Sequence, residues 1–162
     1  MRISKMVRIG NVEIGGGNPI AIQSMTNTDT RNVDETVEQI NRLVQAGCEI
    51  VRVSLPDLES AKSVRQIKAR TSVPLVGDIH FDYRIAIEAI ENGIDKVRIN
   101  PGNIGDSSKV LEIVKAAREH NVPIRVGANS GSLPKDLEHL PKAQALGEAA
   151  LREVRLLETH GF

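Results

Sequence analysis

Five short runs rich in β-branched residues, Ile20–Met25, Glu49–Ser54, Pro74–His80, Lys96–Asn100 and Pro123–Gly127, alternate with segments of helical period. No other feature restricts the fold as strongly. Strands joined through helices run parallel, because the crossover needs the length of a helix and the helix then covers the sheet. The class is therefore α/β, as an open doubly wound sheet or as a TIM barrel. A dinucleotide-binding open sheet places its glycine-rich turn directly after the first strand. Here Ser24-Met25-Thr26-Asn27 stands in that place, and Gly15-Gly16-Gly17 comes before the strand. The barrel is the better reading. A full barrel of this type closes with eight units over roughly 250 residues. The five units in this 162-residue sequence predict an incomplete one.

The helix signals agree with the strands. Asn32 with Glu35 three residues on predicts a capped start, followed by Val33, Val37, Ile40 and Val44 facing inward and Gly47 as the stop. A second helix starts at Asp57 with Leu58, Ala61, Val64 and Ile67 as its apolar positions, and Pro74 lies beyond its end. A third starts at Asp82 with Ala86, Ile87 and Ile90, and Gly93 after it. A fourth starts at Asp106 with Val110, Ile113, Val114 and Ala117, stopped before Pro123. A fifth covers about Lys142–Thr159 with Gly161 past its end. Ahead of these units, Met6–Ile9 and Val12–Ile14 predict a short hairpin turned by Gly10-Asn11.

Charge and cysteine usage narrow the function. Lys+Arg and Asp+Glu balance at 21 each, so no global field favours nucleic acid or a membrane surface as partner. Cys48 is the single cysteine, which excludes an internal disulfide framework and a cysteine-rich metal cluster; after Gly47 and before an apolar run it reads as a small buried hydrophobe. No run of 18 apolar residues occurs and Met1–Val12 lacks the apolar core of a signal peptide, so a cytoplasmic protein is expected.

Alternation along a strand sends successive side chains to opposite faces. The face that carries Arg52 and Ser54 also carries Gln23 and Met25, Asp78 and His80, Arg98 and Asn100, and Arg125 and Gly127. Each arginine is flanked by aliphatics that suit the helix side, so this polar set points the other way, into the lumen of a barrel. Three arginines with one carboxylate, Asp78, are costly in a lumen unless an anion joins them. The planar guanidinium fork suits phosphate, and barrel sites form at the C-terminal ends of strands. The alternative is a layer of structural ion pairs. Asp78 and His80 are an acid–base pair or contacts for a hydroxylated substrate. Asn100-Pro101-Gly102-Asn103 is a turn, and Gly127–Ser132 is a small-residue loop able to present backbone N–H groups to phosphate.

Taken in order, the strings Ala21-Ile22-Gln23-Ser24-Met25-Thr26-Asn27-Thr28, Val51-Arg52-Val53-Ser54, Asp78-Ile79-His80-Phe81-Asp82-Tyr83-Arg84, Arg98-Ile99-Asn100-Pro101-Gly102-Asn103-Ile104-Gly105 and Arg125-Val126-Gly127-Ala128-Asn129-Ser130-Gly131-Ser132-Leu133 resemble the 4-hydroxy-3-methylbut-2-en-1-yl diphosphate synthase family of isoprenoid biosynthesis. The resemblance covers nearly the whole sequence. It implies that residues 1–162 are the N-terminal part of a TIM-barrel substrate domain, with the rest of the barrel and an iron–sulfur domain lying in a longer protein. It further implies reductive opening of 2-C-methyl-D-erythritol 2,4-cyclodiphosphate, a [4Fe-4S] cluster in the parent enzyme, ferredoxin or flavodoxin as electron donor, and a homodimer. Asp78 and His80 would be catalytic; Gln23, Met25, Arg52, Arg98, Asn100, Arg125 and Asn129 would bind substrate. The family holds its cluster with three cysteines and a glutamate, which have no counterpart here, so no metal ligand is expected in this sequence and this chain alone is expected to be inactive. Two other readings compete: a standalone diphosphate-binding or assembly module without redox chemistry, and a pterin-binding barrel transferase. Pterin recognition calls for carboxylates and amides more than for three arginines.

Overall fold

A computed structural model describes residues 4–100, 104 and 107–162. Strands β1 (Val7–Ile9) and β2 (Val12–Ile14) form an antiparallel hairpin. Then follow β3 (Gln23–Met25), α1 (Val33–Gln45), β4 (Ile50–Ser54), α2 (Leu58–Arg70), β5 (Leu75–Asp78), α3 (Tyr83–Glu91), β6 (Lys96–Ile99), α4 (Ser107–Glu119), β7 (Ile124–Val126) and α5 (Lys142–Thr159). Two short 3₁₀ turns, Ser130–Ser132 and Lys135–Leu137, lie between β7 and α5. The five strands β3-β4-β5-β6-β7 pair in chain order, all parallel, as an incomplete TIM barrel does.

The helices begin where short polar side chains satisfy the free N–H groups of the first turn. Asp57 and Ser60 form a reciprocal capping box at α2, and Asp82 accepts from the Arg84 backbone N–H at α3. Asn32 accepts from the Glu35 N–H as expected, but Glu35 returns its carboxylate to the Asn32 side-chain amide rather than to the backbone. Asp106 and the turn residues Pro101–Asn103 lie outside the described residues.

Between helices and sheet sits one aliphatic core that includes Val51, Val53, Leu75, Ile79, Val97 and Ile99 from the strands and Ile40, Ile67, Ile90, Ile113 and Val114 from the helices. Among them Val51 and Val53 flank Arg52, and Val97 and Ile99 flank Arg98. Val44 and Leu58 depart from the expected inward set, at 38% and 37% exposure. Both lie in terminal turns of their helices, where the chain runs past the sheet. The first barrel strand is also shorter than expected. Ile22 gives its N–H to the Glu49 carboxylate at 2.8 Å, so the ladder begins at Gln23.

The hairpin closes the end of the sheet opposite the strand C-termini. Ile9, fully buried, packs against Ile50 and Val76, which point to the lumen side. Its turn fits closely under the sheet. A Cβ on Gly10, which holds φ +57°, would lie 3.0 Å from Asp95 and 3.1 Å from Pro74. The positive φ and the tight approach both select glycine there.

Candidate active site

Strand register builds the lumen in layers. Arg52, Val76 and Lys96 lie abreast on β4, β5 and β6, and one step nearer the C-terminal ends lie Ser54, Asp78, Arg98 and Arg125. Asp78 is the centre of the upper layer. Arg98 Nη1 donates to Asp78 Oδ1 at 3.2 Å, Arg52 Nε stands 3.8 Å from Oδ2, and His80 Nε2 stands 3.6 Å from the same oxygen. Arg98 and Asp78 are both buried, with side chains 9% and 8% exposed, whereas His80 is 40% exposed. Arg98 Nη2 also donates to Asn129 Oδ1 at 3.1 Å, and Arg52 Nε to the Met25 sulfur at 3.1 Å.

The expected residues therefore divide into three groups. Met25, Arg52, Asp78, His80, Arg98 and Asn129 are joined through contacts. Arg125 stands next to Arg98 in register with its side chain exposed, and Asn100 is buried just beyond the end of β6. Gln23 lies elsewhere, at the lower end of β3 beside Ile50, where it lines a floor cavity of about 400 Å³ together with Lys96 and hairpin residues. Same-face parity placed it correctly on the lumen side but could not tell which end of the strand it occupies. Asp82 pairs with Arg84 at 2.6 Å.

Lys96 is the residue the sequence reading passed over, although it alternates with Arg98 and Asn100. It is 9% exposed at the floor of the lumen. Burial, and then the nearby charge of Arg125, hold its ammonium below the usual lysine range. The sign of the linkage follows. Below the folded-state value the lysine is charged in both states, and burial then costs stability. As pH rises through that value toward the ordinary one of 10.5, the folded state sheds its proton first and the cost is relieved. Lys96→Met in this chain is expected to raise the urea midpoint at neutral pH and to flatten the alkaline gain in stability. An unchanged midpoint and profile would show that burial of the ammonium carries no such cost.

The arrangement gathers cations around a single carboxylate. Arg52, Arg98 and Arg125 share a surface with the carboxylate of Asp78 toward the strand ends where barrels place their chemistry, and Lys96 lies beneath them on the floor. Arg98 is held on two sides, by Asp78 and by Asn129, so one guanidinium is oriented before any ligand arrives. The same residues do not fit an iron–sulfur cluster. Ligation needs several thiolates. Cys48 sits in the helix-side core with its thiol on the Ile50 carbonyl at 3.0 Å. No group of three or more His, Cys, Asp or Glu is placed to hold a metal among the described residues.

Comparison with known proteins follows the same lines. Residues 4–162 match the family described as the GcpE TIM-barrel domain. A protein from Caldicellulosiruptor saccharolyticus, named 4-hydroxy-3-methylbut-2-en-1-yl diphosphate synthase (flavodoxin), is 58% identical across 99% of this chain and 47% of its own length. A protein of the same name from Anoxybacillus flavithermus is 55% identical across 98% of this chain and 44% of its own length. The chain thus spans less than half the length of these relatives. Among solved structures, dihydropteroate synthase from Yersinia pestis superposes with a TM-score of 0.68 at 13% identity, covering 96% of this chain and 58% of that one. The enzyme from Xanthomonas albilineans in complex with 7,8-dihydropteroate gives 0.68 at 14%, covering 98% and 60%. At such identity the likeness speaks for the barrel and carries no argument for pterin chemistry. The family match over nearly every residue, with the same layered barrel architecture beneath it, means that this chain belongs to the GcpE TIM-barrel domain family.

Proposed function

We propose that this chain is the substrate-gripping part of a 4-hydroxy-3-methylbut-2-enyl diphosphate synthase. The observation that carries the reading is the excess of cations over the Asp78 carboxylate on one lumen surface at the strand ends. The substrate would be 2-C-methyl-D-erythritol 2,4-cyclodiphosphate, a cyclic polyanion. The overall reaction breaks one ring carbon–oxygen bond and leaves the diphosphate on the other carbon. It also expels a hydroxyl as water, and consumes two electrons and a proton. The electrons would come from flavodoxin or ferredoxin through groups in the rest of the protein, in a cytoplasmic homodimer whose [4Fe-4S] cluster is held outside these residues.

The residues present here have separable tasks. Arg98, oriented in advance, and Arg52 would receive phosphate oxygens through charge-assisted hydrogen bonds. Arg125, exposed at the end of the sheet, would close on the same diphosphate. Asp78, which the resemblance makes catalytic, would act here by holding Arg98, Arg52 and His80 through its two oxygens. His80, partly exposed and next to Asp78, is placed to give a proton to a departing oxygen. Asn100, Asn129 and Met25 would complete the wall around the sugar-derived carbons.

The test uses the full-length protein with a reduced flavodoxin and the cyclic diphosphate, following the linear allylic diphosphate by mass spectrometry. Arg125→Met is expected to weaken substrate binding about ten- to 150-fold, the loss of one charge-assisted hydrogen bond. Its stability should change little, because the side chain is exposed. No product from the wild-type protein, or binding unaffected by Arg125→Met, would sink the reading.

A further inference from the structure

Gly127 continues the lumen-facing parity of Arg125 at the top of β7, and its α-carbon is covered by the flat guanidinium of Arg98. A Cβ built there would lie 2.5 Å from Arg98 Nη2 and would also collide with Nε. Real Cβ atoms do not come that close, so something must move. The backbone is poorly able to do so, because the Gly127 N–H donates to the Ile99 carbonyl at 2.9 Å and ties this point to β6. The guanidinium is poorly able to do so without losing its ligands, since it is anchored to Asp78 at 3.2 Å and to Asn129 at 3.1 Å. The need for glycine here is spatial. Gly127 lacks the positive φ of Gly47 or Gly93, so an alanine meets no backbone strain at this position.

We infer that Gly127 is a positioning residue of the diphosphate site: its missing side chain is the seat in which the Arg98 guanidinium lies, and that seat fixes the direction in which Arg98 offers its free N–H groups to a phosphate. The inference rests on the proposed function for the identity of the anion. Its geometry is independent of that identity. A methyl group at residue 127 displaces the guanidinium from Asp78 or from Asn129, and either shift re-aims the fork by enough to spoil a two-oxygen contact. The effect acts entirely through Arg98.

A double-mutant cycle in the full-length protein tests this. Binding of the cyclic diphosphate is measured by calorimetry for the wild type, Gly127→Ala, Arg98→Met and the double variant. Gly147→Ala serves as a control, because a Cβ there meets nothing within 4 Å. Gly127→Ala is expected to weaken binding by about tenfold or more, the scale of one charged hydrogen bond. In the Arg98→Met background it should have no further effect. Wild-type affinity in Gly127→Ala, or a penalty of the same size in both backgrounds, overturns the inference. If Gly127→Ala fails to fold, adding it to Arg98→Ala, which lacks the clashing atoms, must cost no stability in urea beyond that of Arg98→Ala alone; a further loss overturns the inference. If the wild type does not bind the cyclic diphosphate, the proposed function falls, and the seat is read directly from the Arg98 Nε–Hε resonance of the ligand-free protein. A shift in Gly127→Ala but not in Gly147→Ala supports it, and no shift overturns it.

Discussion

Arg98→Met in the full-length protein is expected to cost more, in stability and in binding together, than Met at any other arginine of this chain. The reason is burial on both sides of the ion pair. Arg98 and Asp78 are 9% and 8% exposed, and removing the cation leaves a desolvated carboxylate behind. Breaking a buried pair from one side costs about 3–5 kcal/mol. Arg52, at 3.8 Å from the other carboxylate oxygen, remains to compensate in part, which places the expected loss toward the lower end of that range. Substrate binding loses a further about 1.5–3 kcal/mol with the charge-assisted hydrogen bond itself. Arg52→Met, whose partner is longer and whose side chain is 26% exposed, should weaken binding with a smaller stability loss. Arg42 and Arg65 lie on exposed helix faces and mark the baseline. Urea unfolding and calorimetry on the four variants separate the two effects. If Arg98→Met behaves like Arg65→Met in both, the arginine layer is neither a site nor a structural hub.

The 162-residue chain by itself is expected to self-associate. Its sheet ends at β3 on one side and β7 on the other, and among the described residues neither edge strand has a strand partner on its outer side. The segment that enters β3 is also apolar and exposed. Ile20 is 96% exposed and Ile22 is 61% exposed in the segment that leads into it. An open edge flanked by exposed apolar side chains recruits a second strand, and the two-stranded hairpin below the sheet covers only the floor of the lumen. Sedimentation velocity should show dimers and larger species that grow with concentration. Ile22→Lys should shift the distribution toward monomer, because a charge on an edge opposes pairing. A monodisperse monomer for the unmodified chain at high concentration would mean that the edges find cover in a way the described residues do not provide.

Much of this molecule follows from local patterns, and the reason differs from element to element. The parallel sheet was legible because crossover helices leave their caps and stops in the sequence: Asp57, Asp82, Gly47 and Gly93 each mark a place where backbone groups need a particular partner or a particular φ. The shared face of Arg52, Asp78 and Arg98 was legible because strand parity is fixed by covalent geometry. The fifth helix, at Lys142–Thr159 with Gly161 at φ +76° beyond it, was bounded by the same chemistry.

What parity cannot carry is height along the strand. Gln23 and Arg52 share a face, yet Gln23 pairs with Ile50 at the floor while Arg52 stands two residues higher, and only the register of neighbouring strands decides that. Register is a property of backbone hydrogen bonds between distant segments, such as Glu49 N–H to the Ile22 carbonyl at 2.8 Å, and no local pattern encodes it. The same holds for Lys96, whose burial at the floor of the lumen arises from sheet packing, and for Gly127, whose sequence neighbours explain nothing about it. By itself the sequence determined which side chains face the lumen. The tertiary structure alone decided which of them meet around Asp78, because that depends on how far each strand slides along the next, and on a guanidinium from β6 coming to rest on the bare α-carbon at the end of β7.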